Sequence, residues 1–339
     1  MKPLFAATLS ALLASACSLP LGPPGAWVDW TEIDGPLRPE VSPPPTESTP
    51  STRLRIATFN VHYGNDVEGL IRVLKQNPRL ATADVLLLQE IRSFPEESES
   101  RARRGATPPR KGCAYAPARP HKTGTHGLAV LSRLPFESVE IMELPRATIA
   151  MGTERRIAMA VELRVGGEPL RIVNVHLDTR LNIGDRVGQL RPAIIDAPPR
   201  VIVGGDFNTN PFVWTANTIP DARTLAVADS DQARALDVYM GSLDFENPTA
   251  SLGATVPLPL LTVHLDSIYT RGIAQLGDSG VERSVGISDH WPVWLDVTVD
   301  SLQSTVDGLC DARGVPRRSD SESPARRQAE ESLSAHPDS

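Results

Sequence analysis

The chain has 339 residues, 40% of them hydrophobic, which is enough for one large domain or two small ones around a substantial core. Its formal net charge is -7, from 34 Lys and Arg against 41 Asp and Glu, and so excludes capture of nucleic acid by overall charge alone. It does not exclude a nuclease, because a site metal and local arginines draw phosphate to an acidic protein.

The first residues predict a targeting segment over 1–17: Lys2, an apolar run from Leu4 to Ala16, then Cys17. The run is too short to span a bilayer, and no second apolar stretch of about eighteen residues follows. Leu13-Ala14-Ser15-Ala16-Cys17 resembles a bacterial lipobox, in which the cysteine is lipidated, although Ala14 stands where leucine is more usual. Ala14 and Ala16 also satisfy the Ala-x-Ala rule of ordinary signal cleavage, and either reading exports the protein. Residues 18–52, rich in Pro, Ser and Thr, predict an extended spacer that buries no core. A catalytic domain is expected over 53–300 and a polar, disordered tail over 301–339. Apart from Cys17 there are Cys113 and Cys310, whose pairing the sequence leaves open.

Within the domain, apolar strands end repeatedly in polar groups. Leu54 to Phe59 leads to Asn60, and Val85 to Leu88 leads to Gln89-Glu90. Between them Val67, Leu70, Ile71 and Leu74 have helical spacing. The stretch Arg101 to Lys122, with Arg103, Arg104, Arg110 and Lys111 among glycines and prolines, reads as a loop, either overhanging a cleft or simply solvated. Strands follow at Leu128 to Leu131, Phe136 to Leu144, Arg156 to Arg164 and Pro169 to Val175, the last two joined as a hairpin at Gly166-Gly167 and the last leading to His176. Ile183, Val187, Leu190 and Ile194 predict a second helix, and Asp231 to Leu243 a third. The most informative stretch is Val201-Ile-Val-Gly-Gly-Asp-Phe-Asn: a short buried strand, two glycines read as a sharp turn, then Asp206 and Asn208. An Asx turn at Asn208 or Asn210 before Pro211 is the bland alternative. Leu265 to Tyr269 carries Asp266, and Asp289-His290 precede the strand Val293 to Val299. These patterns alone give α/β with mixed sheets.

Six such motifs in this order, from about Arg53 to Val299, resemble the endonuclease/exonuclease/phosphatase superfamily, which includes DNase I-like nucleases, abasic-site endonucleases, neutral sphingomyelinases and inositol polyphosphate 5-phosphatases. The resemblance implies a DNase I-like α+β fold, a four-layer αββα sandwich of two mixed, mainly antiparallel sheets with helices outside. It implies hydrolysis of a phosphodiester by direct attack of water, with Mg2+ as cofactor and Mn2+ as substitute. Sparse carboxylates on separate strands suit magnesium, which needs only one or two of them. By resemblance Glu90, Asn60 and Asp289 stand on the metal side, Asp206 and Asn208 align the water, His176 donates to the scissile phosphate, and His290 is the acid/base imidazole oriented by Asp266. Arg156 matches an arginine near the phosphate, with Arg155 as the competing register. His62 stands where some members carry a metal-binding aspartate, and we do not assign it as a ligand. His121, His126 and His264 fit no zinc spacing and read as loop or core residues. The expected substrate is nucleic acid, or alternatively a phospholipid such as sphingomyelin, with an inositol phosphate third. A membrane tether favours lipid, whereas short loops without a long amphipathic insertion favour a nuclease. The expected protein is a monomer in the bacterial envelope, anchored through a lipid on Cys17 or else periplasmic or secreted. A binding protein on an inactive scaffold is the alternative of another class.

Overall fold

The computed structural model describes residues 39–44, 52–106, 111–146, 155–212, 232–257 and 263–299. The expected lipobox, the tail and Cys310 therefore lie outside the described residues. Among the described residues no helix is long and apolar enough to cross a membrane.

Twelve strands form two sheets among these residues. The first half supplies β1 (Glu40–Ser42), β2 (Arg53–Asn60), β3 (Val85–Ser93), β4 (Gly112–His121), β5 (Gly124–Ser132) and β6 (Ser138–Glu143). The second half supplies β7 (Ile157–Val165), β8 (Glu168–His176), β9 (Val201–Asp206), β10 (Asp266–Arg271), β11 (Gln275–Val281) and β12 (Val293–Thr298). A seven-stranded sheet has the order β1-β4-β5-β3-β2-β12-β11, and a five-stranded sheet the order β10-β9-β8-β7-β6. Only β2/β3 and β8/β9 pair in parallel; the other pairings are antiparallel.

Period-two alternation explains the layering. In β3, Val85 and Leu87 join the core between the sheets, with Ile172, Ile202 and Ile268 from the other sheet. Leu86 and Leu88 face the opposite way, onto Leu70, Leu74 and Leu80 from α1 (Val67–Gln76) and α2 (Pro78–Ala81). The five-stranded sheet is covered likewise by α4 (Ile183–Ile194) and α5 (Gln232–Gly241), through Leu190, Ile194, Leu236 and Met240. The result is the four-layer αββα sandwich of a DNase I-like fold.

Three local readings change. The segment 18–52 is not spacer throughout: Glu40, Val41 and Ser42 pair with Tyr115, Ala114 and Cys113, because β4 offers an open edge to any extended backbone. The stretch Arg101 to Lys122 is largely regular, with α3 (Arg101–Gly105) followed by β4. Ser100 caps α3 by accepting from Arg103 N at 3.2 Å, while Ala102 and Gly105 are small enough to sit against the core. Gly204 and Gly205 are not a turn either, since both lie inside β9. A Cβ on Gly205 would come within 2.0 Å of Val175 O, and one on Gly204 within 2.7 Å of Leu87 in the facing sheet. Both glycines thus serve close packing.

Candidate active site

The topology brings six polar strand ends to one edge of the sandwich. The strand β2 ends at Asn60, its parallel neighbour β3 carries Glu90 at a bulge near its end, and β8 and β9 end at His176 and Asp206. Antiparallel β10 starts there with Asp266, and Asp289-His290 lie just before β12. Register is direct: Asp206 faces His176 on one side and Asp266 on the other.

Glu90 leaves the ladder at an irregularity of β3 between Leu88 and Ile91, with φ +59°. Such a bulge re-aims a side chain, here into the site. Its Oε1 lies 3.4 Å from Asn60 Nδ2 and 3.9 Å from His176 Nε2. Its Oε2 is buried with no hydrogen-bond partner among the described residues. Burial, and then the charge of Asp289, raise the Glu90 carboxyl above its ordinary value.

Asp206 is the hub. Its Oδ2 accepts from Asn60 Nδ2 at 3.0 Å and lies 3.6 Å from His176 Nε2 and 3.8 Å from His290 Nε2. Its Oδ1 accepts from Asn208 N at 2.9 Å. Asn208 makes this turn with φ +52°, a conformation asparagine tolerates, and its Nδ2 donates to Leu177 O at 2.9 Å. Burial, reinforced by Asp266, pushes the Asp206 carboxyl up to about 7 despite His290 and the hydrogen bonds it accepts. His290 Nδ1 donates to Asp266 Oδ2 at 2.8 Å. Burial disfavours the charged ring, but Asp266 and Asp206 outweigh it and lift His290 well above an ordinary histidine. His176 goes the other way: burial and the nearby Arg156 keep it neutral.

The profile of the Endonuclease/Exonuclease/phosphatase family matches residues 57–290, more than half of the chain. The chain belongs to this family. Among solved structures, an endonuclease/exonuclease/phosphatase from Beutenbergia cavernae DSM 12333 is 18% identical, with 74% of this chain and 72% of that one covered at a TM-score of 0.56. An endonuclease/exonuclease/phosphatase family protein from Leptotrichia buccalis C-1013-b is 14% identical over 72% and 99%, with a TM-score of 0.54. TDP2 of D. rerio, solved with a single-strand DNA product, is 15% identical over 73% and 99%, with a TM-score of 0.50. At these identities the likeness is one of fold. Among curated protein sequences nothing matches the chain.

Family members are hydrolases of phosphoester bonds that generally use a divalent metal. The donors present fit such an ion. Glu90 Oε2 and Asp266 Oδ1 are buried oxygens without hydrogen-bond partners among the described residues. Asp206, Asp266 and His290 also present ligand atoms within 4.8 Å of one another. Asp266 is committed to the His290 ring, and Asp206 to Asn60 and Asn208. Of the three residues expected on the metal side, Asn60 Oδ1 accepts from His62 N at 3.1 Å and Asp289 Oδ1 lies 3.0 Å from His62 Nδ1, while Glu90 keeps one carboxylate oxygen without a hydrogen-bond partner among the described residues. Burial opposes ionisation of Asp289, but a 3.0 Å contact from His62 Nδ1 and the charge of His290 hold its carboxyl below the ordinary value.

All eight residues expected at the strand ends converge on this edge. Of the two candidate arginines, Arg155 pairs with Glu143 at 2.6 Å, while Arg156 is buried and acts electrostatically on Glu90 and His176. The basic stretch behaves differently. Arg104 pairs with Glu68, Lys111 lies against Leu80 O at the other end of the strands, and Arg110 is outside the described residues. His264 bonds Gly253 O and Ser267, a structural role. His126, which the sequence reads as a loop or core residue, is indeed buried but lies at the site. It is a buried β5 residue whose Nε2 lies 4.0 Å from Glu90 Oε2. Its only sequence signal was its place on the strand preceding Gly127-Leu128, which could as well have marked a core position.

Proposed function

We propose that this chain is an exported, divalent-metal-dependent phosphodiesterase that cleaves nucleic acid by direct attack of water. The observation that carries the reading is the buried line Asp266–His290–Asp206, with a carboxyl near neutrality at one end and a charged imidazole held by a carboxylate at the other. Asp206 Oδ2 takes the proton of the attacking water, whose oxygen bonds phosphorus as the ester P–O bond breaks and the leaving oxygen takes a proton from solvent. Asn208 fixes the Asp206 carboxylate through its backbone N–H. His290 and His176 both face the same Asp206 oxygen, so they suit phosphoryl oxygens on the attacked side and stabilise charge that grows there. Arg156 adds a fixed positive charge beside His176. A divalent cation held by Glu90, Asn60 and Asp289 supplies Lewis-acid neutralisation of phosphoryl charge.

Nucleic acid is the first substrate to test. The solved DNA complex belongs to TDP2, and here it motivates the choice of assay. The Cys17 motif supports a lipid-anchored enzyme of the bacterial envelope, with a periplasmic or secreted one as the alternative. Plasmid nicking and single-strand cleavage by the full chain, in magnesium, in manganese and in EDTA, beside His290→Ala, test the activity. Nicking that needs a metal and vanishes in the variant supports the reading. A folded, metal-supplied protein that leaves DNA intact but cleaves sphingomyelin or an inositol phosphate replaces the substrate and keeps the chemistry. Inactivity on all of them returns the protein to a binding role.

A further inference from the structure

Beside the metal-side carboxylate lies an open-sided hollow lined by Arg119, His126, Arg155, Arg156 and His176, with Ile157 among its apolar walls. No Asp or Glu lines it among the described residues. We propose that this hollow is a subsite for a second phosphate group of the substrate, adjacent to the one that is cut. The inference rests on the nuclease reading above and narrows it to substrates that carry neighbouring phosphates.

Hydrogen-bond chemistry decides the sign of the ligand. Arginine can only donate, and Arg119 Nε points to His126 Nδ1 at 3.2 Å. Nδ1 must therefore be the acceptor of the neutral ring, which leaves the proton on Nε2. That Nε2–H is buried and has no hydrogen-bond partner among the described residues, with the side chain only 5% exposed. Glu90 Oε2, 4.0 Å away, is too far to accept it. A buried donor without an acceptor is costly, and a phosphate oxygen satisfies it. A metal ion does not, because this nitrogen carries hydrogen.

The hollow adjoins the attacked position and shares His176 and Arg156 with it, while Arg119 and His126 belong to the hollow alone. Glu90 turns Oε1 toward Asn60 and His176 and Oε2 toward His126, so its two oxygens address the attacked side and the hollow separately. Arginine side chains and a neutral histidine N–H are suited to a phosphate oxyanion. Successive phosphates along a nucleic acid strand provide such a second group, whereas a single phosphodiester such as sphingomyelin does not.

The test uses the full chain with manganese and three thymidine dinucleotides: bare, 5′-phosphorylated and 3′-phosphorylated. One phosphorylated form should show a KM about tenfold or more below that of the bare one, as expected for a charge-assisted contact. The form preferred assigns the side of the cut on which the subsite lies. In Arg119→Ala and in His126→Phe the ratio of the two KM values should collapse toward one, while His126→Gln, which keeps an N–H donor, retains part of the preference. As a second readout, inorganic phosphate should raise the melting temperature of the wild type more than that of His126→Phe, which also serves if a variant is inactive. Equal KM values in the wild type, or a preference untouched by both variants, overturns the subsite and leaves the nuclease intact. Cleavage of none of the three, together with no nicking of plasmid, by a folded, metal-supplied protein overturns the nuclease reading itself.

Discussion

Asp266 and His290 are joined by a 2.8 Å hydrogen bond between two buried side chains, and the far nitrogen of the ring lies 3.8 Å from Asp206. The carboxylate accepts from Nδ1, fixes the orientation of the ring and, with Asp206, favours its charged form against burial. Asp266→Asn keeps the shape and removes the charge. It should lower kcat on a phosphodiester by roughly 10²–10⁴-fold while KM changes little, because the ring then loses its orientation and its proton. Initial rates across substrate concentrations measure this split. A kcat within a few-fold of the wild type would mean that the pair is structural.

The two sheets are pinned beneath the site by Asn174, whose Nδ2 crosses from β8 to Leu88 O and Ala129 O, each at 3.0 Å. Its Oδ1 accepts from Gln89 Nε2 at 2.7 Å. The Asn174 side chain is therefore satisfied, at the cost of a polar cluster in an apolar layer. Asn174→Leu strands those partners, at about 1–3 kcal/mol for each group left without a bond. For a domain of this size each kcal/mol lowers the melting temperature by about 2–4 °C. We expect a drop of several degrees by calorimetry, and an unchanged melting temperature would show that the bridge contributes nothing.

Gly205 holds Asp206 in place by omission. Its φ is +154°, and a side chain there would strike Val175 O on the neighbouring strand. Gly205→Ala should push β9 away from β8, destabilise the fold and move Asp206 from the register it shares with His176. Activity per folded molecule should fall along with stability. A fully stable, fully active Gly205→Ala protein would refute this account of the glycine.

Much of this was legible because it depends on local patterns. Alternating apolar residues gave β2, β3, β8, β9 and β12, and a polar residue where such a run stops marks a strand end. That is why Asn60, Glu90, His176 and Asp206 could be found before the sheets were known. What stayed hidden depends on packing across the chain. β1 exists because β4 has an edge to pair with, and three residues among prolines carry no such signal. In α4 the expected apolar stripe is only half of the inner face. Arg186 is completely buried there and donates to Gln232 Oε1 at 2.5 Å and to Thr179 O at 3.3 Å, tying down the loop after β8. The role of His126 was likewise invisible, because it comes from Glu90 and Arg119 on neighbouring strands.

Lys111 gives a test of the fold that leaves the site alone. It lies next to Leu80 O, near Arg133 and Asp84, where β3 begins, whereas the site lies where β3 ends. Burial, and then Arg133, lower its amine from 10.5 to about 7. The unfolded chain therefore holds this proton over a range in which the folded chain has released it, and stability from this group rises as pH increases from about 7 toward 10.5. Its contribution is lowest below about 7, where both states are protonated and the fold must accommodate a charged amine in a half-buried position. Lys111→Met removes that cost. The variant should be more stable than the wild type near pH 6.5, and the gap should close as the pH approaches 10, when urea midpoints of the two proteins are compared across that range. Midpoints that run parallel at every pH would show that Lys111 keeps its ordinary affinity for the proton.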